Sequence, residues 1–231
     1  MKKIVKKIIN QIVSIDNEPS IINLFITQLG ISKQHRLLDV GCGYGKNLRL
    51  LHEHGLNVLG VEINESIVEI NKKSGLPCCS VKEFHSNNEV FDLILMSHVI
   101  EHFAPAELLK FLESYLCKLK KGGYLILATP LMSSYFYDDF DHVKPYQPTG
   151  INMMFCSDDA QVQYRSKFKL QCMDIWFRRS PFRRVFGSDI YSLNKFPSST
   201  IINLFYAILY RFSVGLFGQT DGWIGIYKKV Q

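Results

Sequence analysis

Apolar residues along the 231-residue chain fall into two kinds of block that take turns. Short, near-continuous runs at 36–40, 57–63, 77–81, 90–100 and 124–130 suit strands buried on both faces. Longer stretches at 46–54, 64–73 and 105–121 carry apolar residues at helical spacing; the clearest stripe is Leu108, Leu109, Leu112, Leu116 and Leu119. Strand and helix in alternation require a parallel sheet with right-handed crossovers. Runs at 168–176 and 222–230 supply a sixth and a seventh strand.

Punctuation supports these boundaries. Pro19 and Gly30 bracket a helix at 20–29, Gly55 ends the helix at 46–54, and Asn64 is placed to cap the next one. Gly122 and Gly123 stop the helix at 105–121, whose terminal lysines suit the negative end of its dipole. Upstream, Ile4, Val5, Ile8, Ile9, Ile12 and Val13 with lysines between them form an amphipathic basic helix. Such a helix can lie on anionic lipid or pack its apolar face on the core.

The first crossover is RLLDVGCGYG, residues 36–45, with glycines spaced G-x-G-x-G. Glycines let the backbone approach a ligand, and the N–H groups of the following helix point at whatever sits above the loop. A nicotinamide dinucleotide loop would read G-x-G-x-x-G and place its third glycine at position 46, where this chain has Lys46. The spacing found here, with Asp39 just before it, resembles the first motif of the class I S-adenosylmethionine-dependent methyltransferases, of the small-molecule type 11 and type 23 groups. FDLILMSHVIEHF at 91–103 resembles a second segment of that family, and K-x-G-G-Y-L-I-L-A-T-P around the fifth strand a third.

The resemblance implies an α/β fold, a Rossmann-like seven-stranded, mostly parallel sheet flanked by helices, with the last strand antiparallel beside the fifth and sixth. It implies S-adenosyl-L-methionine as cofactor, S-adenosyl-L-homocysteine as product, and no metal. Asp39, Gly41, Cys42, Gly43, Gly45, Glu62 and Ile63, with Ser80, Val81, Ser97 and His98, then form the cofactor site. Glu62 ends the second strand near the separation of about 20 residues at which a Rossmann-like unit places a carboxylate on ribose hydroxyls. Relatives often carry an acid after the third strand for the adenine amino group. Ser80 stands there in this chain, so that contact falls to the Ser80 hydroxyl or to main chain near Val81 and Lys82.

Beyond Pro130 the stretch MSSYFYDDFDHVKPY at 132–146 is dense in aromatics and aspartates. It reads as a substrate-facing loop, with Tyr135, Tyr137, Asp141 and Tyr146 as acceptor contacts. Its D-H-V-K-P-Y part resembles a segment of relatives that act on sugars and surface polysaccharides. The implied reaction is methylation of a sugar hydroxyl in polysaccharide or lipopolysaccharide assembly. A sulfonium leaving group needs neither acid nor metal, but a hydroxyl must give up its proton. His142, with Asp139 and Asp141 nearby, is the favoured base and His102 the second candidate. His98 and His102 can equally hydrogen-bond around the cofactor.

Composition narrows the rest. A content of 47% hydrophobic and 21% charged residues describes a folded protein. The net charge of +6 is too mild and dispersed to argue for nucleic acid, though it is compatible with an anionic substrate or a membrane surface. Six cysteines without C-x-x-C spacing suit free thiols in a reducing compartment and offer no zinc site. The basic N-terminus lacks a signal-peptide core, so the expected location is the cytoplasm, with peripheral contact at the inner membrane face open.

The length suits one domain over 1–231, divided into N-terminal helices at 1–34, a cofactor core at 36–130 and a substrate side at 131–231. An arginine-rich insert at 177–187 precedes an apolar run at 201–217 that Asn203 and Arg211 interrupt, too short and too polar to read as a membrane span. That run suits a core, a dimer interface or a membrane surface. The partner is a small-molecule acceptor, and the oligomeric state is open. Competing readings are a lipid-linked or quinone-like acceptor at the membrane, or a non-enzymatic S-adenosylmethionine-binding interaction protein.

Overall fold

Leu37, Leu38 and Val40 leave no face for water, and the chain buries them as β1 (Arg36–Val40) in the middle of a seven-stranded sheet. The computed structural model describes residues 18–86, 88–133, 135–157, 161–183 and 197–231. The basic helix expected at 4–13 lies outside them. The other strands are β2 (Asn57–Glu62), β3 (Cys78–Ser80), β4 (Phe91–Ser97), β5 (Leu119–Pro130), β6 (Leu170–Ser180) and β7 (Gln219–Lys229). Their order is β3-β2-β1-β4-β5-β7-β6. Only β7 runs antiparallel, paired with β5 on one side and β6 on the other. The α/β architecture expected from the alternating pattern is therefore the one observed, last strand included.

Successive side chains of a strand point to opposite faces, so each central strand feeds two cores. On one face Leu38, Val40, Ile94, Met96, Leu125 and Leu127 pack with residues of α5 (Pro105–Leu116) and α6 (Pro148–Phe155). On the other, Leu37, Leu93, Leu95 and Ile126 meet α1 (Glu18–Gln28), α2 (Lys46–Glu53) and α3 (Glu65–Lys73). Strand order reverses between β1 and β4, and a doubly wound sheet opens a ligand crevice at the carboxyl ends of the strands flanking such a reversal.

Several expected boundaries shift. The helix expected at 105–121 ends at Leu116, and β5 already begins at Leu119, so no basic residue lies in the last helical turn. The positive charge at that helix end comes from β7 instead: the Lys229 ammonium donates to the carbonyls of Leu116 and Leu119 at 2.7 Å each. Asp92 explains the early start of β5, since it accepts from the Arg36 amide on β1 and from the Lys120 ammonium, both at 2.8 Å.

A short helix absent from the pattern, α4 (Val81–His85), follows β3, with Ser80 and Glu83 forming a reciprocal capping box. The helix expected at 20–29 starts at Glu18, with Pro19 inside its first turn. The apolar run at 201–217 is helical only as the end of α7 (Pro197–Phe212).

Gly60 on β2 tests the tightness of the layer between sheet and helix. A Cβ there would stand 2.6 Å from Leu48 Cδ2 and 2.9 Å from Cys42 Sγ. Gly60→Ala is expected to cost about 1–3 kcal/mol in urea unfolding; a variant as stable as the parent would show the layer to be loose.

Candidate active site

At the carboxyl end of β1 the chain cannot continue straight, because the Gly41 and Cys42 amides both turn to donate to the Val61 carbonyl on β2, at 2.8 and 3.1 Å. Gly41 and Gly45 hold φ of 68° and 77°, the left-handed region that favours glycine. Both are also hemmed in: an added Cβ would meet Val99 at 2.6 Å from Gly41, and Leu76 at 2.7 Å from Gly45. At Gly43 no atom lies within 4 Å of that point, so this is the glycine at which the loop backbone is open to approach. Asn71 of α3 clamps the loop from behind, donating to the Gly43 carbonyl at 2.7 Å.

Two acids stand at the base of the loop. Glu62, 7% exposed, accepts the Gly43 amide on Oε2 at 2.9 Å and the Asn64 amide on Oε1 at 3.0 Å. Asp39 is 2% exposed, and its Oδ2 accepts no hydrogen bond. Burial first, then Cys78 and Glu62, push its carboxyl up to about 7 against the Leu48 amide. Ile63 and Tyr44 flank the loop with exposures of 83% and 70%. The Ser80 hydroxyl caps α4 while Val81 packs on the core edge. Cys42 and Cys78 are free thiols with their sulfurs 3.6 Å apart.

At the end of β4 a charged network crosses the sheet edge. Ser97 donates to Glu18 Oε1 at 2.8 Å, and His98 Nε2 lies 3.2 Å from Glu18 Oε2. His98 has φ 57°, a left-handed backbone for a residue with a side chain. Arg178 of β6 donates from Nη1 to Glu18 Oε2 at 2.7 Å and from Nε to Asp221 Oδ1 at 2.9 Å. Desolvation works against charge on Glu18, yet His98, Arg178 and Ser97 hold its carboxyl down at about 2. Desolvation likewise opposes the His98 cation, and Glu101 and Glu18 overcome it, holding the imidazole near 9. Tyr135 joins through its hydroxyl, which donates to Asp221 Oδ2 at 2.9 Å.

Just past β4, a 3-10 turn at Ile100–His102 carries Glu101 and His102. Segment 135–146 folds back over it: the Val143 and Lys144 amides donate to the Glu101 carbonyl at 2.8 and 3.1 Å. His142 thereby lies beside His102, ring centroids 5.1 Å apart. Asp139 reaches to 3.7 Å from His142 Nε2, whereas Asp141 offers its carbonyl to His102 Nδ1.

Of the expected acceptor contacts, Tyr137 and Asp141 are exposed and Tyr135 half-buried. Tyr146 points inward, a correction to its place on the substrate side. It is 8% exposed in the core, its hydroxyl donates to Phe103 and its carbonyl accepts from Trp223 Nε1. Sequence reasoning passed over Glu18, Asn71, Glu101, Arg178 and Asp221. Each is buried or nearly so by partners remote along the chain, and a lone acid or arginine at such positions carries no local signal.

A seven-stranded sheet in this order, with a glycine loop after β1 and an acid at the end of β2, defines the class I S-adenosylmethionine-dependent methyltransferase fold. The chain belongs to the family described as "Methyltransferase domain", whose sequence model matches residues 5–192. It is 26% identical over 113 residues to a ubiquinone biosynthesis O-methyltransferase of Coxiella burnetii, covering 46% of this chain and 47% of that one. The enzyme of the same name from Brucella anthropi is 30% identical over 102 residues, 41% of this chain and 40% of that one. The chain thus spans less than half the length of these curated relatives in alignment. A SAM-dependent methyltransferase from Archaeoglobus fulgidus shares the fold, with a TM-score of 0.56 at 22% identity over 92% of this chain and 95% of that one.

Arg178→Met strips the guanidinium from two carboxylates that are 4% and 5% exposed, and is expected to destabilise the chain by about 3–5 kcal/mol in chemical denaturation. Asp39 gives a pH signature. The folded chain keeps a proton that an unfolded carboxyl loses near 3.8, so ligand-free stability falls as pH rises from about 4 to 7 and levels off above. Asp39→Asn removes that slope; thermal melts at pH 5 and pH 8 compare the two, and an unchanged slope would refute the assignment.

Proposed function

We propose that the protein transfers the sulfonium methyl of S-adenosylmethionine to a hydroxyl oxygen of a small-molecule acceptor, releasing S-adenosylhomocysteine. One observation carries the reading: a glycine loop tied to the buried carboxylate of Glu62 and a histidine pair beside the end of β4 share the sheet edge where strand order reverses. Each Glu62 oxygen accepts one amide and keeps a second lone pair for a ribose hydroxyl. Ile63 and Tyr44 offer exposed apolar faces to the adenine, and Ser80 with the main chain near Val81 its polar edge. Ser97 and His98 border the reactive end, while Tyr135, Tyr137 and Asp141 meet the acceptor.

In the reaction an oxygen lone pair forms the O–C bond, and the C–S pair returns to sulfur, cancelling the sulfonium charge. The hydroxyl proton passes to the imidazole of His142 or His102. Alignment of oxygen, methyl and sulfur with water excluded supplies most of the acceleration. The segment around Asp141 and His142 favours a sugar unit as acceptor, by its resemblance to enzymes of surface polysaccharides.

A lipid-linked acceptor is the second reading, favoured by an exposed apolar end after α7. Phe212, Val214, Leu216 and Phe217 are 86%, 93%, 78% and 61% exposed, and Arg179 donates to the Leu216 carbonyl beside them. Among the described residues no helix is long and apolar enough to cross a membrane. The two curated relatives above bear the name ubiquinone biosynthesis O-methyltransferase.

Calorimetry tests the cofactor: Asp39→Ala and Glu62→Ala are each expected to weaken S-adenosylmethionine binding at least tenfold, and unchanged affinity in both would overturn the proposal. Flotation with anionic vesicles at low salt separates the acceptors. Recovery of the protein with the vesicles, reduced in Phe212→Ser, supports the lipid reading; no association removes it.

A further inference from the structure

We propose that Glu101, His102 and His142 bind one divalent transition-metal cation, of the zinc, manganese or iron(II) kind, with coordination positions left open for the oxygens of the acceptor. Each of the three offers a ligand atom, and these atoms lie within 4.8 Å of one another.

The hydrogen bonds around the cluster are those a metal site needs. His102 Nδ1 lies 3.1 Å from the Asp141 carbonyl, and His142 Nδ1 lies 2.7 Å from the Phe136 carbonyl. A carbonyl only accepts, so both Nδ1 atoms carry a proton, and it is Nε2 that has the lone pair in the neutral ring. Metal-ligating histidines are oriented in this way by their second nitrogen. The Glu101 carboxylate is fully buried, and Thr129, also fully buried, donates to its Oε2 at 2.9 Å. Its Oε1 lies 3.2 Å from His98 Nδ1.

The two segments that supply the ligands are also locked together, through the Val143 and Lys144 amides on the Glu101 carbonyl. A general base would need one imidazole. Here two imidazoles and a carboxylate converge, a donor set that suits zinc, iron and manganese better than magnesium or calcium. With three protein ligands, such a cation keeps room for a hydroxyl and lowers the pH at which that hydroxyl releases its proton, so that with the cation bound it is water, in place of His142 or His102, that takes the proton. An acceptor with two adjacent oxygens then fits best. This role rests on the methyl-transfer reading above; the binding of the cation does not.

Chelator-stripped protein titrated with Co²⁺ reads the site directly, through stoichiometry and the visible absorption of bound cobalt. One equivalent is expected, abolished in His102→Ala and His142→Ala, weakened about 10–100-fold in Thr129→Val, and unaltered in His85→Ala. His102→Gln and His142→Gln replace any alanine variant whose melting shows that it has not folded. Absence of cobalt binding, or binding equal to the parent in both histidine variants, overturns the proposal. S-adenosylmethionine calorimetry on the same samples keeps the two readings apart. Cofactor binding without cobalt binding removes the cation alone; cobalt binding without cofactor binding removes the methyl-transfer reading alone.

Discussion

Arg178 is the constraint on which the reactive edge of the molecule depends. Its guanidinium joins the first turn of α1 to the start of β7 through Glu18 and Asp221, and the same two acids engage Ser97, His98 and Tyr135. Three remote parts of the chain are thereby held at one sheet edge by charge in a place poor in water. Such a pairing gives little net stability over a well-packed apolar cluster, but it is directional, and removal of one member strands the others. It fixes where β4 ends and how His98 is presented.

The central strands were legible because parallel strands buried on both faces have near-continuous apolar runs, and the middles of β1, β2, β4 and the second half of β5 show such runs. The glycine loop was legible because its dihedrals exclude most side chains. Helix ends were less so. The stripe running on to Leu119 imitates one more helical turn, whereas Leu119 is the first residue of a strand, recruited by Asp92 and Lys120. Pattern reading sees periodicity along the chain; it does not see a hydrogen bond from another strand that cuts the period short.

The site divides in the same way. Asp39, Gly43 and Glu62 announce themselves by local spacing, and the structure brings them to one loop. Tyr146 shows the opposite failure: an aromatic in a polar segment looks outward from sequence, yet a Trp223 indole on a strand far along the chain draws it into the core. Glu101 was seen only as part of a string of letters. Its meaning comes also from Thr129 and His142, neither of which is its neighbour in sequence.

Lys229 carries a lesson about assembly in time. The helix it caps ends at Leu116, 113 residues earlier in synthesis, and the strand it belongs to pairs with β5 from Tyr124 to Pro130. A nascent chain that has made β1 to β6 therefore presents a long, apolar, unpaired strand edge and an uncapped helix to its surroundings. Ribosomal elongation, and whatever shields exposed strands meanwhile, stand between this half-built sheet and aggregation until β7 slots in between β5 and β6.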